Sequence, residues 1–204
     1  MADNITRYSG AGSFANDSNY EVQRSNHFEI QIDFSSFNDF AGINKNNIQQ
    51  ADEMSKTIRL CCTSAPIPTI NIQTQPLRHG NETVNVAGSP SWGTMSVGIY
   101  DVIGRNVAKL LQTWFHNVFN PYTHVMGMVK NYKTTATVFQ YSPDASIIRK
   151  WVCYGVFPTS LNFGSYSADG QGQPVIIQME LSVDKSILYD GKEAAQSYSQ
   201  AYGI

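Results

Sequence analysis

Charge is what this chain has least of. Only 15% of its 204 residues are Asp, Glu, Lys or Arg, against about 25% in an average soluble domain. Fourteen basic and sixteen acidic residues leave a formal net charge of −2, and Arg149-Lys150 is the one adjacent basic pair. Affinity for nucleic acid comes largely from phosphate neutralisation, so firm DNA binding is not expected, although passive contact with DNA suits this near-neutral balance. Asn, Gln, Ser and Thr take the place of charge. Such a surface does little to repel copies of itself, and the composition fits a self-assembling chain as well as a soluble domain that is simply low in charge.

Long apolar runs are missing as well. No segment approaches the ~20 apolar residues of a membrane span, so no membrane anchor is expected. The first residues, MADNITRYSGAGSFANDS, have no apolar h-region and do not read as a signal peptide. The chain is therefore expected to be made in the cytoplasm, and the N-x-S/T triplets at Asn4, Asn16 and Asn81 carry no glycan expectation. Cysteine is scarce. Three residues, an odd number, do not make a disulfide framework.

Signatures of chemistry are absent too. There is no C-x-x-C and no G-x-S-x-G, and His27, His79, His116 and His124 have no partners at metal-ligand spacing. Gly10-Ala11-Gly12 and Gly170-Gln171-Gly172 do not sit between a strand and a helix, as a phosphate loop requires. Cys153 reads as a buried strand residue rather than a nucleophile, since free cysteine behaves as a small hydrophobe. The expectation is no catalysis, no metal and no cofactor.

What is present is patterned. Hydrophobic residues make up 42% of the chain, enough for a core. Residues 1–25 read as a polar arm, 26–189 as a β-rich domain and 190–204 as a polar tail. Phe28, Ile30, Ile32 and Phe34 alternate with polar neighbours as a half-buried strand. Residues 35–55 read as a polar insertion, mostly loop with a short helix near Ile48 to Met54. Ile58, Leu60 and Cys62 read as one face of a further strand, with Thr57, Arg59 and Cys61 on the other. Ile70 to Gln75 and Thr83 to Val86 flank Arg78-His79-Gly80-Asn81, giving a long hairpin with a polar, exposed tip. A Trp-led strand follows through Trp92, Met95, Val97 and Ile99.

One amphipathic helix is expected over 102–119, with Asp101 as N-cap and Asn120-Pro121 as the stop. Val107, Leu110, Leu111, Trp114, Phe115 and Val118 recur along one face, as the core side of that helix. Strands then run from Thr135 to Tyr141, from Ile147 to Phe157 and from Val175 to Val183, the last being the cleanest alternation. The sum is a mainly β fold, a sandwich or partly closed barrel with one flanking helix.

Asn85-Val86-Ala87-Gly88, the Trp92 strand, the single helix and Tyr154-Gly155-Val156-Phe157-Pro158-Thr159-Ser160 follow one another in an order that resembles the tail tube proteins of contractile-tailed bacteriophages. The resemblance covers roughly Asn26 to Tyr189, and that family is similar to type VI secretion tube proteins. It implies a structural subunit of the virion tail. Six copies close into a ring, their inner strands join into one continuous barrel, and the rings stack into a hollow tube inside a contractile sheath. Implied partners are other copies of the chain, the sheath protein, baseplate and tail terminator proteins, and the tape measure protein and DNA in the lumen. Arg78, His79, Asn81 and Glu82, at the hairpin tip, are the candidates for ring-to-ring stacking. Cys61 and Cys62 leave two options: ordinary thiols, or a disulfide from Cys61 to Cys153 or to a neighbouring subunit. Two other readings stand beside the tube: a baseplate tube initiator of the same fold, and a β-sandwich carbohydrate-binding module.

Overall fold

The computed structural model describes residues 23–35, 39–40, 43–44, 48–169 and 172–191. The expected arm through residue 22, parts of the 35–55 insertion, Gly170-Gln171 and the tail beyond residue 191 lie outside these.

The architecture is mainly β and wholly antiparallel in its main sheet. In order come β1 (Phe28–Ile32), the short β2 (Asp39–Phe40) and β3 (Ile43–Asn44), α1 (Ile48–Cys61), β4 (Cys62–Ser64), β5 (Ile70–His79), β6 (Glu82–Trp92) and β7 (Met95–Tyr100). Then follow α2 (Val107–Val118), β8 (Phe119–Asn120), β9 (Val125–Met126), α3 (Val129–Tyr132), β10 (Thr134–Tyr141), β11 (Ile147–Asn162), β12 (Ile176–Ser182) and β13 (Lys185–Asp190). The main sheet runs β1-β10-β11-β12-β7-β4, with β13 also paired to β11. It does not close into a barrel within one chain.

β11 holds the architecture together. Its first half pairs with β10 on one edge and β13 on the other; its last residues pair with β12. The change of direction falls at Gly155, whose φ is +66°, a conformation that costs other residues a Cβ clash. Asp184 sits in the matching bend between β12 and β13, and its N–H donates to the Tyr154 carbonyl at 3.1 Å. The two bends turn one long ribbon into two half-sheets facing a common core. Ile30, Ile32, Val138 and Cys153 line that core from one half; Met95, Val97, Ile99, Ile177, Met179 and Leu181 line it from the other.

Two long helices are described, not one. Residues 57–61 are helical, so the strand expected there begins only at Cys62. Met54, Thr57, Ile58 and Cys61 are buried while Leu60 is 68% exposed, a spacing of three and four that belongs to a helix stripe. The run Thr57 to Cys62 also alternates, and over so few residues the two periods cannot be told apart. Ser55 Oγ donates to the Ile32 carbonyl at 2.5 Å, tying α1 to β1.

The second helix starts later than expected. Asp101 is not its cap; its N–H donates to the Val175 carbonyl at 3.0 Å. Ile103–Arg105 forms a 3-10 turn, and Asn106, with φ 48°, precedes the first helical residue. Val107, Leu111 and Trp114 are buried, while Leu110, Phe115 and Val118 are half-buried. Trp114 meets Phe34 edge to face at 5.2 Å between centroids. Its Nε1 donates to the Tyr132 carbonyl at 3.0 Å.

Candidate assembly surface

The hairpin of β5 and β6 stands apart from the main sheet as a sheet of its own. Gly80, with φ +64°, makes the turn that joins the strands. Every residue of β5 is exposed, and nearly all of β6 is too. Arg78, His79, Asn81 and Glu82 gather at the tip, His79 directly opposite Glu82. The shaft exposes large apolar side chains, among them Ile70, Ile72, Leu77 and Val84, each more than half exposed. Trp92 ends β6 rather than leading β7.

A different surface lies on the outer face of the half-sheet formed by β4, β7, β12 and the end of β11. Glu180 pairs with Ser96 on one side and Ser160 on the other; Gln178 pairs likewise with Gly98 and Asn162. Their neighbours in sequence, Met179, Leu181, Val97 and Ile99, point into the core. None of β4, β7, β12 or the 157–162 stretch of β11 contains Lys or Arg. These strands therefore supply no cation, and Glu180 is the one charge they carry; Ile176 opposite Tyr100 and Phe157 opposite Ser182 fall on the same face. A separate apolar patch, Tyr122, Val125, Met126, Met128 and Val129, is exposed around β8, β9 and α3.

Among the described residues the sequence's reactive groups are not gathered into a chemical site. No group of His, Cys, Asp or Glu suited to a metal occurs among the described residues. His116 packs edge to face with Tyr122 at 5.9 Å between centroids, and His79 is on the hairpin tip.

All three cysteines are free. The possible Cys61–Cys153 disulfide is not formed: Cys61 ends a helix rather than lying on a strand, and Cys153 lies beside Ser186 on the opposite strand, Sγ to Oγ 3.6 Å. Burial raises the pKa of both. Cys62 is pushed up to about 11, first by burial and further by Cys61, against a hydrogen bond with the Ser64 backbone that lowers it.

A thiol in the unfolded chain titrates near 9.0. The folded chain holds this proton more tightly, so the stabilising contribution is whole below pH 9 and is lost as pH rises toward 11. The melting temperature should fall across that window. Cys62→Ala should flatten the fall; an equal slope in the variant would place the alkaline sensitivity elsewhere.

Among the described residues no helix is long and apolar enough to cross a membrane. Trp114 is buried and Trp92 and Trp151 are half-buried, so of the aromatic residues a sugar could stack on, the widely exposed ones are tyrosines such as Tyr122 and Tyr166.

Residues 23–174 match the phage tail tube protein family, and the chain belongs to that family. Its members are structural proteins of the virion tail, not enzymes. No curated protein sequence matches the chain. Among solved structures, it is similar to a chain of the sheath-tube complex of the PVC extracellular contractile injection system in its extended state. The identity is 14% and the TM-score 0.59, over 90% of this chain and 100% of that one. A chain of the anti-feeding prophage tube-terminating cap is similar at 14% identity and TM-score 0.59, over 84% and 93% of the two chains. A chain of the six-fold symmetrised anti-feeding prophage baseplate gives 12% and 0.58, over 84% and 98%. These likenesses are of fold.

Proposed function

We propose that six copies of this subunit close into a ring and that rings stack into a tube through which DNA passes. The observation that carries this reading is the uncovered hairpin. A two-stranded hairpin is marginally stable in water by itself, and here nearly all of it is exposed. Family membership supplies the tube, and the six-fold symmetry of the similar baseplate assembly favours six copies. The cation-free outer face around Ser96, Gln178 and Glu180 suits a lumen wall. A polyanion moving along it meets no phosphate-binding site to slow it. On the same reading the lumen first holds a tape measure protein. A sheath, a baseplate and a terminator engage the tube, as in the assemblies that hold the similar chains, and assembly takes place in the host cytoplasm.

The hairpin tip is proposed to govern stacking without governing folding. Glu82→Lys and Arg78→Glu should each leave the melting temperature near native, because exposed charges on a turn contribute little to the fold. Each should shorten tubes or leave isolated rings in negative-stain micrographs, since one defect recurs at every joint. Normal tube lengths from both variants would remove the tip from the joint. The tube initiator is a second reading, favoured by the likeness to the baseplate chain; it predicts single rings from the unaltered protein in the same micrographs.

A further inference from the structure

The half-sheet built from β1, β10, β13 and the first half of β11 has two faces. Ile30, Val138 and Cys153 point from one of them into the core, where α1 and α2 also pack. Successive residues of a strand alternate between faces. Glu29, Phe139, Lys150 and Tyr189, which oppose one another in a row across the four strands, therefore lie on the other face. Gln31, Thr137, Val152 and Ile187 make the next row. Tyr141 stacks on Phe139 at 6.4 Å between centroids, and its hydroxyl donates to Glu29 Oε2 at 3.2 Å.

This second face points away from the core, yet it is not open. Phe139 is 4% exposed and Lys150 7%, and neither belongs to the core cluster. Neighbours in a row shield the sides of a ring that stands on a sheet; closing its top takes something laid across the strands. β6 touches β13, the edge strand, and Phe139 lies two strands farther in. A buried ammonium also calls for a counter-charge. The Tyr189 ring sits 4.9 Å from Lys150 Nζ, and a carboxylate is the natural partner for the same group.

We propose that residues 1–22 fold back across this face of their own chain, laying apolar side chains on Phe139 and bringing a carboxylate to Lys150. This reading is separate from the tube and goes beyond it. Three observations select the occupant. The chain enters at the right place: Gln23 Nε2 donates to the Tyr141 carbonyl at 2.9 Å, which holds the end of the arm at the edge of the face. The arm has the reach. Four strands at ~4.8 Å spacing are about 15 Å across, and residues 1–22 fully extended span about 70 Å. Its chemistry also matches. Ile5, Tyr8, Phe14 and Tyr20 can cover aromatic surface, and Asp3, Asp17 and Glu21 outnumber Arg7. The tail beyond residue 191 brings one acidic side chain, Glu193, directly beside Lys192, and suits a buried lysine less well.

Two measurements on the full chain test this. In the first, the photoreactive residue p-benzoylphenylalanine replaces Phe14 or, separately, Tyr198. Light and heavy-isotope copies are mixed as unassembled subunits and irradiated. The label at Phe14 should cross-link to β10 and β11 within single-isotope chains. Mixed-isotope products would place the arm on another copy, and the same cross-links from Tyr198 alone would give the face to the tail. Either result overturns the proposal, as do cross-links from Phe14 to other surfaces or to none.

The second measurement follows acetylation of Lys150 by mass spectrometry, with Lys185, exposed on β13, as the internal standard. Ile5→Ser combined with Phe14→Ser alters the arm and no residue of the core. It should speed the reaction of Lys150 by about tenfold or more, the effect of losing two apolar contacts, and leave Lys185 unchanged. An unaltered ratio of the two rates would show that the arm does not cover this lysine.

Discussion

Trp114→Ala should lower the stability of the unassembled subunit by about 3–5 kcal/mol, the usual cost of deleting a buried aromatic. For a domain of this size that is a fall of about 6–20 °C in melting temperature. Three losses combine. The indole is fully buried on the face of α2 that meets the core, so its removal opens a cavity. Phe34 loses its edge-to-face partner. The partly buried Tyr132 carbonyl loses the donor that ties α3 to α2, and the lost hydrogen bond carries its own cost. Thermal unfolding followed by circular dichroism is the measurement. An unchanged melting temperature would mean that α2 is not fixed to the sheet through this residue.

Gly155→Ala should be nearly as damaging, at about 2–4 kcal/mol. Two causes are separable. The backbone at φ +66° penalises any Cβ, and the new methyl would overlap the Asp184 carboxylate. That carboxylate accepts from Lys133 Nζ at 2.5 Å, while the same ammonium lies 5.4 Å from the centre of the Phe157 ring. The overlap therefore disturbs the bend and the residues that brace it. Adding Asp184→Gly to Gly155→Ala should recover the steric part and leave the backbone part. Urea melts of the two single variants and the double variant give the partition. A Gly155→Ala subunit as stable as the native one would show that the ribbon bends without help from glycine.

What could be read from the residues depended on how long each pattern ran. The Val107–Val118 stripe and the Ile177, Met179, Leu181 alternation persist long enough to declare their periods, and the hairpin around Gly80 is bounded by turn residues. The end of α1 was illegible because Thr57 to Cys62 satisfies both periods. Asp101 looked like a cap because capping residues are recognised by type; its N–H is instead taken by Val175, a partner far along the chain. β13 went unseen because Lys185–Asp190 does not alternate cleanly, and its place is set by pairing with β11. Of the candidate surface, the tip was visible in the sequence. The pairing along the shaft was not, because it exists only once the register of β5 against β6 is known.

That register also bears on the order in which the subunit is made. β1 waits for β10, roughly 110 positions downstream, and β4 waits for β7. β5 and β6 need only each other across a two-residue turn. Loop-closure entropy favours the near partners first, so during synthesis β5 and β6 are the first long strands able to pair, as a hairpin that stays marginal until the body folds. Its apolar patches are then bare beside an unfinished sheet whose β1 edge is also unpaired. Exposed apolar surface and unpaired strand edges of this kind make a partly folded chain prone to association.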